Sequence, residues 1–213
     1  MKTVTVIDYG MSNLRSVSKA LEHVAGQDWQ VLVSDQASVI LRADKVCFPG
    51  QGAIGNCMAL LNQTGLAEVI RRAVLTKPFL GLCLGLQTLL TYSEESGGTT
   101  GLNWTAGTVH RFMEPLLDPH TGERLKVPHM GWNQVQAIQS HPLWQGIPEN
   151  SRFYFVHSYY VEPEDKRVVA ATTSYGGLSF ASAVARDNVF AVQFHPEKSQ
   201  QAGLTLLRNF LAW

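Results

Sequence analysis

The chain has 213 residues, of which 45% are hydrophobic and 16% are charged, a composition that excludes a disordered or fibrous protein. Basic and acidic residues both number 17, so the formal net charge is zero. This balance gives no indication of a bulk electrostatic partner such as nucleic acid or an anionic membrane.

The cysteine pattern and the N-terminal segment indicate the cellular compartment in which the protein is expected to function. The three cysteines include no CxxC pair, which argues against a disulfide scaffold and a zinc ribbon, and free thiols suit a reducing cytosol. The apolar run near the N-terminus is too short for a signal peptide or a membrane span. We therefore expect a cytoplasmic protein.

The first half of the chain alternates strand-like and helix-like segments. Ser12 or Asn13 is a candidate N-cap for the first helix. Strands are predicted at 4–7, 29–33, 45–48 and 79–82, and helices at 14–24, at 66–74 and from Cys83 through 90. Such alternation predicts a mostly parallel sheet covered by helices on both faces.

The second half is richer in strands. They are predicted at 108–112, 133–138, 153–161, 168–173, 178–184 and 189–194, with loops or a hairpin over 113–131 and a closing helix over 204–211. We therefore predict a single α/β domain over 1–213, a three-layer sandwich with a mostly parallel central sheet and an antiparallel extension.

The segment Gly81-Leu82-Cys83-Leu84-Gly85 lies between an apolar strand and a helix. This G-x-nucleophile-x-G form is typical of a nucleophile elbow, in which a helix N-terminus favours the thiolate. The backbone N–H of Leu84 would face a developing oxyanion. The alternative is a structural cysteine between two glycines. We assign that structural role to Cys47 and Cys57, which lack this context.

A candidate base and its orienting acid end the strand 189–194. In an extended segment, residues i and i+2 share a face, so His195 and Glu197 point the same way. The histidine could deprotonate the thiol and the glutamate could hold its tautomer. Taken alone, His195 could equally be an ordinary surface histidine.

The segment Pro49-Gly50-Gln51-Gly52 follows another strand end. Two glycines there can turn backbone N–H groups towards an anion. A plain tight turn is the simpler interpretation of this segment in isolation.

These three motifs, in this order, resemble those of the class I, triad-type glutamine amidotransferases. Further stretches resemble the histidine-pathway branch of that family. They are Ile7-Asp8-Tyr9-Gly10 with Asn13-Leu14 and Ser16-Val17, Pro128-His129-Met130-Gly131-Trp132-Asn133, Tyr154-Phe155-Val156-His157-Ser158-Tyr159-Tyr160, and Gln193 to Ser199. The chain departs from the family pattern at Ser12, where glycine is usual, and at Gln51, where a small apolar residue is usual.

The resemblance implies a chemistry and a set of site residues. Cys83 would attack the side-chain amide of glutamine and form a glutamyl thioester, with His195 and Glu197 completing the triad. Backbone groups at Gly50, Gly52 and Leu84 would hold the oxyanion. The glutamine-binding residues would be Gln87, His157, Ser158 and Tyr159. The alternative for Gln87 is a solvated helix residue, and the alternative for Ser158 and Tyr159 is that they are plain strand residues.

The resemblance also implies a partner. Family members dock on a (β/α)8-barrel cyclase that consumes the ammonia and makes imidazole glycerol phosphate and an aminoimidazole carboxamide ribotide. Met130, Trp132 and Asn133 would lie at that interface, and the 49–52 loop would gate activity until the cyclase is liganded. The chain shows no phosphate-loop, metal-ligand or dinucleotide pattern, so we expect no cofactor and no metal.

Three other functions are consistent with part of the pattern. The first is a glutaminase of another pathway, although these 213 residues show no signature of a second catalytic domain, which disfavours a fused synthetase, and the 128–133 stretch disfavours the pyridoxal branch. The second is a decayed subunit that only docks, which the presence of all three triad residues disfavours. The third is a cysteine peptidase or stress protein of similar fold, which would share the elbow but not the ending 195–199.

Overall fold

The computed structural model describes residues 1–10 and 14–213, and in that part of the chain it contains sixteen strands and six α-helices. The predicted N-cap at Ser12 or Asn13 lies outside these residues. The strands are β1 (Lys2–Ile7), β2 (Trp29–Ser34), β3 (Lys45–Gly50), β4 (Phe79–Cys83), β5 (Tyr92–Ser93), β6 (Thr99–Thr100), β7 (Gly107–Arg111), β8 (Leu116–Leu117), β9 (Arg124–Leu125), β10 (His129–Gln134), β11 (Gln136–Ala137), β12 (Arg152–His157), β13 (Tyr159–Pro163), β14 (Val169–Tyr175), β15 (Leu178–Arg186) and β16 (Val189–Val192). The helices are α1 (Leu14–Ala25), α2 (Ala37–Arg42), α3 (Ile54–Thr64), α4 (Leu66–Thr76), α5 (Leu84–Gln87) and α6 (Gln200–Ala212).

The central sheet is parallel at one side and antiparallel at the other. Strands β2, β1, β3, β4 and β16 lie side by side in that order, all parallel. From β16 the sheet continues antiparallel through β15, to which both β13 and β14 pair, and then to β7. This arrangement confirms the predicted fold class.

Helices cover both faces of the parallel strands. Successive apolar residues of each strand point to opposite faces of the sheet, so both faces need to be covered. In β3, Val46 and Phe48 enter the cluster formed with α2, α3 and α4, whereas Cys47 enters the cluster formed with α1 and α6. In β16, Ala191 and Phe190 divide between the same two clusters. The sheet thus separates two apolar cores, as strands buried on both faces require.

Two of the differences from the predicted element boundaries lie close to the predicted site, and a third is that the strand predicted at 189–194 ends at Val192. The helix after Cys83 ends at Gln87 instead of continuing to 90. The N–H groups of Leu89 and Leu90 bond to carbonyl groups three residues back, which tightens the turn, and the loop 103–105 then donates to the carbonyl groups of these two residues. The predicted strand 153–161 is two strands, interrupted at Ser158, whose carbonyl accepts the N–H of Phe112. The chain leaves β12 there and joins the main sheet as β13.

Some elements have no counterpart in the sequence-based prediction. Helices α2 and α3 were not predicted, although Ile54, Met58 and Leu61 of α3 are buried at helical spacing. The predicted strand 133–138 begins earlier, at His129, and is broken after Gln134. Within 113–131, β8 and β9 form the hairpin that was one of the two predicted alternatives.

Strands β10 and β12 form a separate antiparallel ribbon that stands beside the main sheet. The register pairs His129 with His157 and Trp132 with Tyr154. The two most family-specific stretches of the sequence are therefore hydrogen-bonded partners. Across the described residues, the structure contains no helix with the length and apolar character that membrane crossing demands.

Candidate active site

Cys83 lies at the end of β4 on a strained turn. Its backbone has φ 54° and ψ −108°, which non-glycine residues rarely adopt. The flanking glycines are sterically required, because a Cβ on Gly85 would lie 2.0 Å from the Phe48 carbonyl oxygen and one on Gly81 would lie 2.9 Å from the Ala191 Cβ. This sharp strand-to-helix turn is the geometry of a nucleophile elbow.

His195 and Glu197 form a buried pair just beyond β16. His195 Nδ1 lies 2.8 Å from Glu197 Oε1, and the two side chains are only 4% and 1% exposed. Because a carboxylate only accepts, the imidazole carries a proton on Nδ1 and turns Nε2 towards the cavity. Nε2 has no hydrogen-bond partner among the described residues.

The loop that carries the pair is tied to the β10–β12 ribbon. The His195 N–H donates to the Tyr154 carbonyl at 2.9 Å. The Ser199 hydroxyl donates to the His195 carbonyl at 2.6 Å and accepts the Tyr154 N–H at 3.0 Å. These bonds explain why serine belongs at the end of the 193–199 stretch.

The charge state of His195 reflects opposing effects. Burial disfavours the imidazolium, but the neighbouring Cys83 sulfur and the Glu197 carboxylate both favour it, and together they raise the pKa of His195 to about 10. No hydrogen bond closes between Nε2 and the sulfur in this structure.

Two buried glutamines connect the sulfur to the cavity wall. Gln87 Nε2 donates to the Tyr159 carbonyl at 3.1 Å and to Gln193 Oε1 at 3.0 Å. Gln193 Nε2 lies 3.6 Å from Cys83 Sγ. Gln87 is therefore a buried hydrogen-bonding residue and not a solvated helix position.

Two buried histidines support the same wall. His157 Nδ1 lies 2.7 Å from the Tyr159 carbonyl, and His157 Nε2 lies 2.9 Å from His129 Nδ1. Asn133 Nδ2 approaches His129 Nε2 at 3.2 Å and donates to the Ser174 carbonyl at 2.9 Å. With the Tyr159 carbonyl as a pure acceptor, every contact is satisfied when both imidazoles are neutral and protonated on Nδ1.

Burial agrees with that protonation state. It lowers the pKa of His129 to about 4 and that of His157 to about 3. Because both ring nitrogens of His157 are already bonded, only its backbone and ring carbons are free to contact a ligand. The predicted binding role of His157 is therefore restricted to those atoms.

The 49–52 loop lies against the elbow. A Cβ on Gly50 would lie 2.6 Å from the Leu84 Cβ, so glycine is needed for close packing there. The N–H of Gln51 donates to the Tyr9 hydroxyl at 3.2 Å, and Gly52 has φ +84°. The loop thus turns at Gly52, with one of its N–H groups directed into the protein.

These elements enclose a cavity of about 440 Å³. Its lining includes Cys83 and His195 together with Gln51, Gly52, Leu84, Gln87, Glu95, Pro128, Val156, His157, Ser158, Tyr159 and Lys198. Gly50 and Glu197 lie behind this lining.

Sequence reasoning missed three residues at this site, Gln193, Glu95 and Lys198. Gln193 and Lys198 flank the His-Pro-Glu motif, whereas no pattern marks Glu95.

The residues predicted for the other roles lie as follows. Cys47 and Cys57 are buried in the apolar cores, and burial raises the pKa of both thiols, consistent with structural roles. On β10, Met130 and Trp132 are 62% and 41% exposed on the outer face of the ribbon. Asn133 points the opposite way, and its amide is occupied by His129 and Ser174.

The sequence matches the family described as glutamine amidotransferase class-I over residues 5–213, and the chain belongs to that family. A solved structure from Thermoplasma acidophilum, described as part of a GMP synthase, has a TM-score of 0.72 and 19% identity, covering 100% of this chain and 93% of that one. At that identity the likeness concerns the fold alone.

Curated relatives show to which branch of the family the chain is most similar. The imidazole glycerol phosphate synthase subunit HisH of Aromatoleum aromaticum is 55% identical over 213 residues, covering 100% of this chain and 99% of the relative. The subunit of the same name from Methylococcus capsulatus is 58% identical over 214 residues, covering 100% and 97%. The predicted resemblance to the histidine-pathway branch is thereby confirmed.

Proposed function

We propose that this chain is the glutamine amidotransferase subunit of an imidazole glycerol phosphate synthase, and that it hydrolyses glutamine to glutamate and ammonia. The observation that carries this proposal is the strained Cys83 elbow facing the unpartnered Nε2 of His195, whose other nitrogen is held by Glu197 at 2.8 Å. The names of the relatives supply the pathway.

The first half of the reaction uses the thiolate–imidazolium pair. The Cys83 thiolate attacks the side-chain amide carbon of glutamine, and the carbonyl electrons move onto oxygen. His195 then gives its Nε2 proton to the amide nitrogen as the carbon–nitrogen bond breaks. Ammonia leaves and a glutamyl thioester remains on Cys83.

The second half restores the enzyme. His195, now neutral, removes a proton from water while the oxygen of that water attacks the thioester carbon. The carbon–sulfur bond breaks, glutamate is released, and the thiolate and imidazolium form again. Glu197 keeps the imidazole on the required tautomer in both halves.

The oxyanion of each tetrahedral intermediate requires hydrogen-bond donors. We assign this role to the backbone N–H groups of Leu84 and Gly52, which line the cavity on either side of Cys83. Gly50 contributes indirectly, because its missing Cβ allows the loop to pack against Leu84.

The cavity wall suits a free amino acid. Glutamine carries an α-ammonium and an α-carboxylate, and Glu95 and Lys198 supply one charge of each sign to the lining. Ser158, Tyr159 and Gln87 provide hydrogen-bonding groups between them. These residues are the proposed contacts to the substrate.

A partner subunit follows from the chemistry, because free ammonia would be protonated or lost in water. We propose a (β/α)8-barrel cyclase as the partner, with a phosphorylated aminoimidazole carboxamide nucleotide as the acceptor. Met130 and Trp132 form the proposed contact face, since they are exposed on the ribbon whose neighbour Pro128 lines the cavity. Asn133 supports that strand from behind.

We also propose that the 49–52 loop gates activity until the cyclase is bound and liganded. Gly50→Ala does not test this cleanly, because its Cβ would collide with Leu84. Gly52→Ala changes a residue at φ +84° and should alter the ratio of activated to basal glutaminase activity more than the melting temperature. An unchanged ratio would contradict the gate.

The main test is glutamate release from glutamine, measured with and without the matching cyclase and its nucleotide ligand, for the wild type and Cys83→Ala. We expect release to depend on the liganded cyclase and to vanish in the variant. Equal release without the cyclase would overturn the pathway assignment. No release under any condition would favour a docking role without catalysis.

A further inference from the structure

The side chain of Gln193 has no role in the mechanism above, yet it lies against the reacting sulfur. The parallel register pairs Val192 of β16 with Leu82 of β4, so the next residues on the two strands, Gln193 and Cys83, are neighbours. Gln193 is fully buried, and its Nε2 lies 3.6 Å from Cys83 Sγ, within hydrogen-bond range for sulfur.

The orientation of this amide follows from a chain of contacts that begins at a backbone carbonyl. The Tyr159 carbonyl can only accept, so Gln87 must turn Nε2 towards it. The same Nε2 lies 3.0 Å from Gln193, which must therefore present Oε1 to it. Gln193 Nε2 is then left to face Cys83.

We propose that Gln193 is a fourth catalytic group, which donates a hydrogen bond from its amide to the Cys83 sulfur and is held in that orientation by Gln87. The inference rests on the proposed nucleophilic role of Cys83. A thiolate accepts a hydrogen bond far better than a thiol or a thioester sulfur, so the donor stabilises the charged sulfur selectively.

This selectivity affects both halves of the reaction. The Gln193 amide favours the attacking thiolate at the start, and it favours the thiolate again as the leaving group when water attacks the thioester. Unlike His195, which changes its charge during turnover, the amide remains a neutral donor throughout. It therefore keeps the sulfur aligned at the moment when the imidazolium has given its proton away.

The test is the rate at which iodoacetamide alkylates Cys83 in the full chain without glutamine, measured from pH 5 to 10 by mass spectrometry. Gln193→Glu keeps an oxygen for Gln87 but replaces the donor with a carboxylate oxygen, and Gln193→Met removes the donor while keeping the size. The titratable groups around the sulfur are unchanged in both variants. They are His195 with its partner Glu197, Tyr9, and Glu95 and Lys198 of the cavity lining.

We expect alkylation at pH 7 to be about tenfold slower in Gln193→Met, as the loss of one hydrogen bond to a charged group implies. In Gln193→Glu the alkylation profile should also move to higher pH. Gln30→Glu, the same change on the exposed edge strand β2, is the matched control and should behave as the wild type. Wild-type rates in both Gln193 variants would overturn the proposal.

A second measurement leaves Gln193 unchanged and therefore tests the contact even if the Gln193 variants fail to fold. The Gln193 side-chain amide resonance should differ between the wild type and Cys83→Ala, and an identical resonance in the two proteins would contradict the contact.

The two proposals fail differently. If only this inference is wrong, the wild type still releases glutamate while the Gln193 variants alkylate normally. If the glutaminase proposal is wrong, the wild type releases none.

Discussion

At His195, burial and the neighbouring charges have opposite effects on the pKa. Burial alone would make it a neutral imidazole, as it does for His129 and His157, whose pKa values are lowered to about 4 and 3. The Cys83 sulfur and Glu197 reverse the outcome at His195. One fold thus contains two neutral histidines that hold structure and one histidine whose charged form is favoured, the residue proposed to transfer the proton.

Removing the sulfur should expose this balance. In Cys83→Ala, the pKa of His195 should fall well below about 10, because burial still lowers it and only Glu197 remains to raise it. The measurement is the titration of the His195 ring resonances by NMR. A pKa that stays near 10 in the variant would mean that Cys83 does not carry the charge assigned to it.

The neutral pair predicts an acid dependence of stability. The folded pKa of His129 lies below its unfolded value of about 6.5, so the unfolded chain binds the proton first and stability is lost as pH falls from about 6.5 towards 4. His129→Gln should reduce the slope of the free energy of unfolding near pH 5 by about one proton, roughly 1.4 kcal/mol per pH unit.

Urea unfolding at several pH values would measure this slope in both proteins, and the comparison concerns the slope only, since the substitution also changes the absolute stability. Identical slopes would show that His129 is not kept neutral by the fold.

At the scale of elements, the active site depends on how closely β3, β4 and the elbow approach one another. The carboxyl ends of parallel strands meet at one edge of the sheet, so Gly50, Cys83 and the residues after β16 converge there. Glycine is needed where α5 crosses β3, because a Cβ on Gly85 would lie 2.0 Å from the Phe48 carbonyl oxygen. The cavity thus depends both on the order of the strands and on glycines that leave room for close packing.

Two glycine substitutions separate steric fit from backbone strain. Gly85→Ala should destabilise the fold by more than about 3 kcal/mol, since the contact is with backbone and cannot be relieved by a side-chain rotation. Gly65→Ala, at φ +76° with no atom within 4 Å of the added Cβ, should cost only about 1 kcal/mol. Chemical denaturation of both variants tests the difference, and equal losses would contradict it.

At the scale of the molecule, the β10–β12 ribbon connects an exposed face to the substrate cavity. One side of β10 exposes Met130 and Trp132, and the other directs His129 and Asn133 into the bonds that support the Tyr159 carbonyl. A partner seated on the outer side would therefore contact the strand whose inner side supports the proposed glutamine-binding wall.

The proposed contact face can be tested against another exposed apolar residue. Trp132→Ala should weaken binding to the cyclase by about 2 kcal/mol, roughly 30-fold in Kd, as loss of an aromatic anchor does. Leu75→Ala, on α4 and 76% exposed, is the matched control and should leave Kd unchanged. Calorimetric titration with the cyclase measures both, and equal effects would place the interface elsewhere.

Features that are encoded locally could be predicted from the amino-acid sequence. Strand–helix alternation predicted the fold class, and the pentapeptide around Cys83 predicted the elbow. Each of these depends on the periodicity or conformation of a few adjacent residues. His195 and Glu197 were predicted to share a face of an extended segment, whereas Pro196–Lys198 forms a 3₁₀ turn, and it is this turn that brings the two side chains together. The identity of the substrate and of the partner was predicted from the family resemblance, because no local sequence pattern contains that information.

The way in which distant segments complete the site is set by the folded chain. The contact of Gln193 with Cys83 depends on the register between β16 and β4, and the His129–His157 pair depends on the register between β10 and β12. Helix α5 ends in a tightened turn, and the carbonyl groups that follow it are bonded by a loop from a later part of the chain. Such outcomes arise from the competition for hydrogen-bond partners, and that competition exists only once the strands are paired.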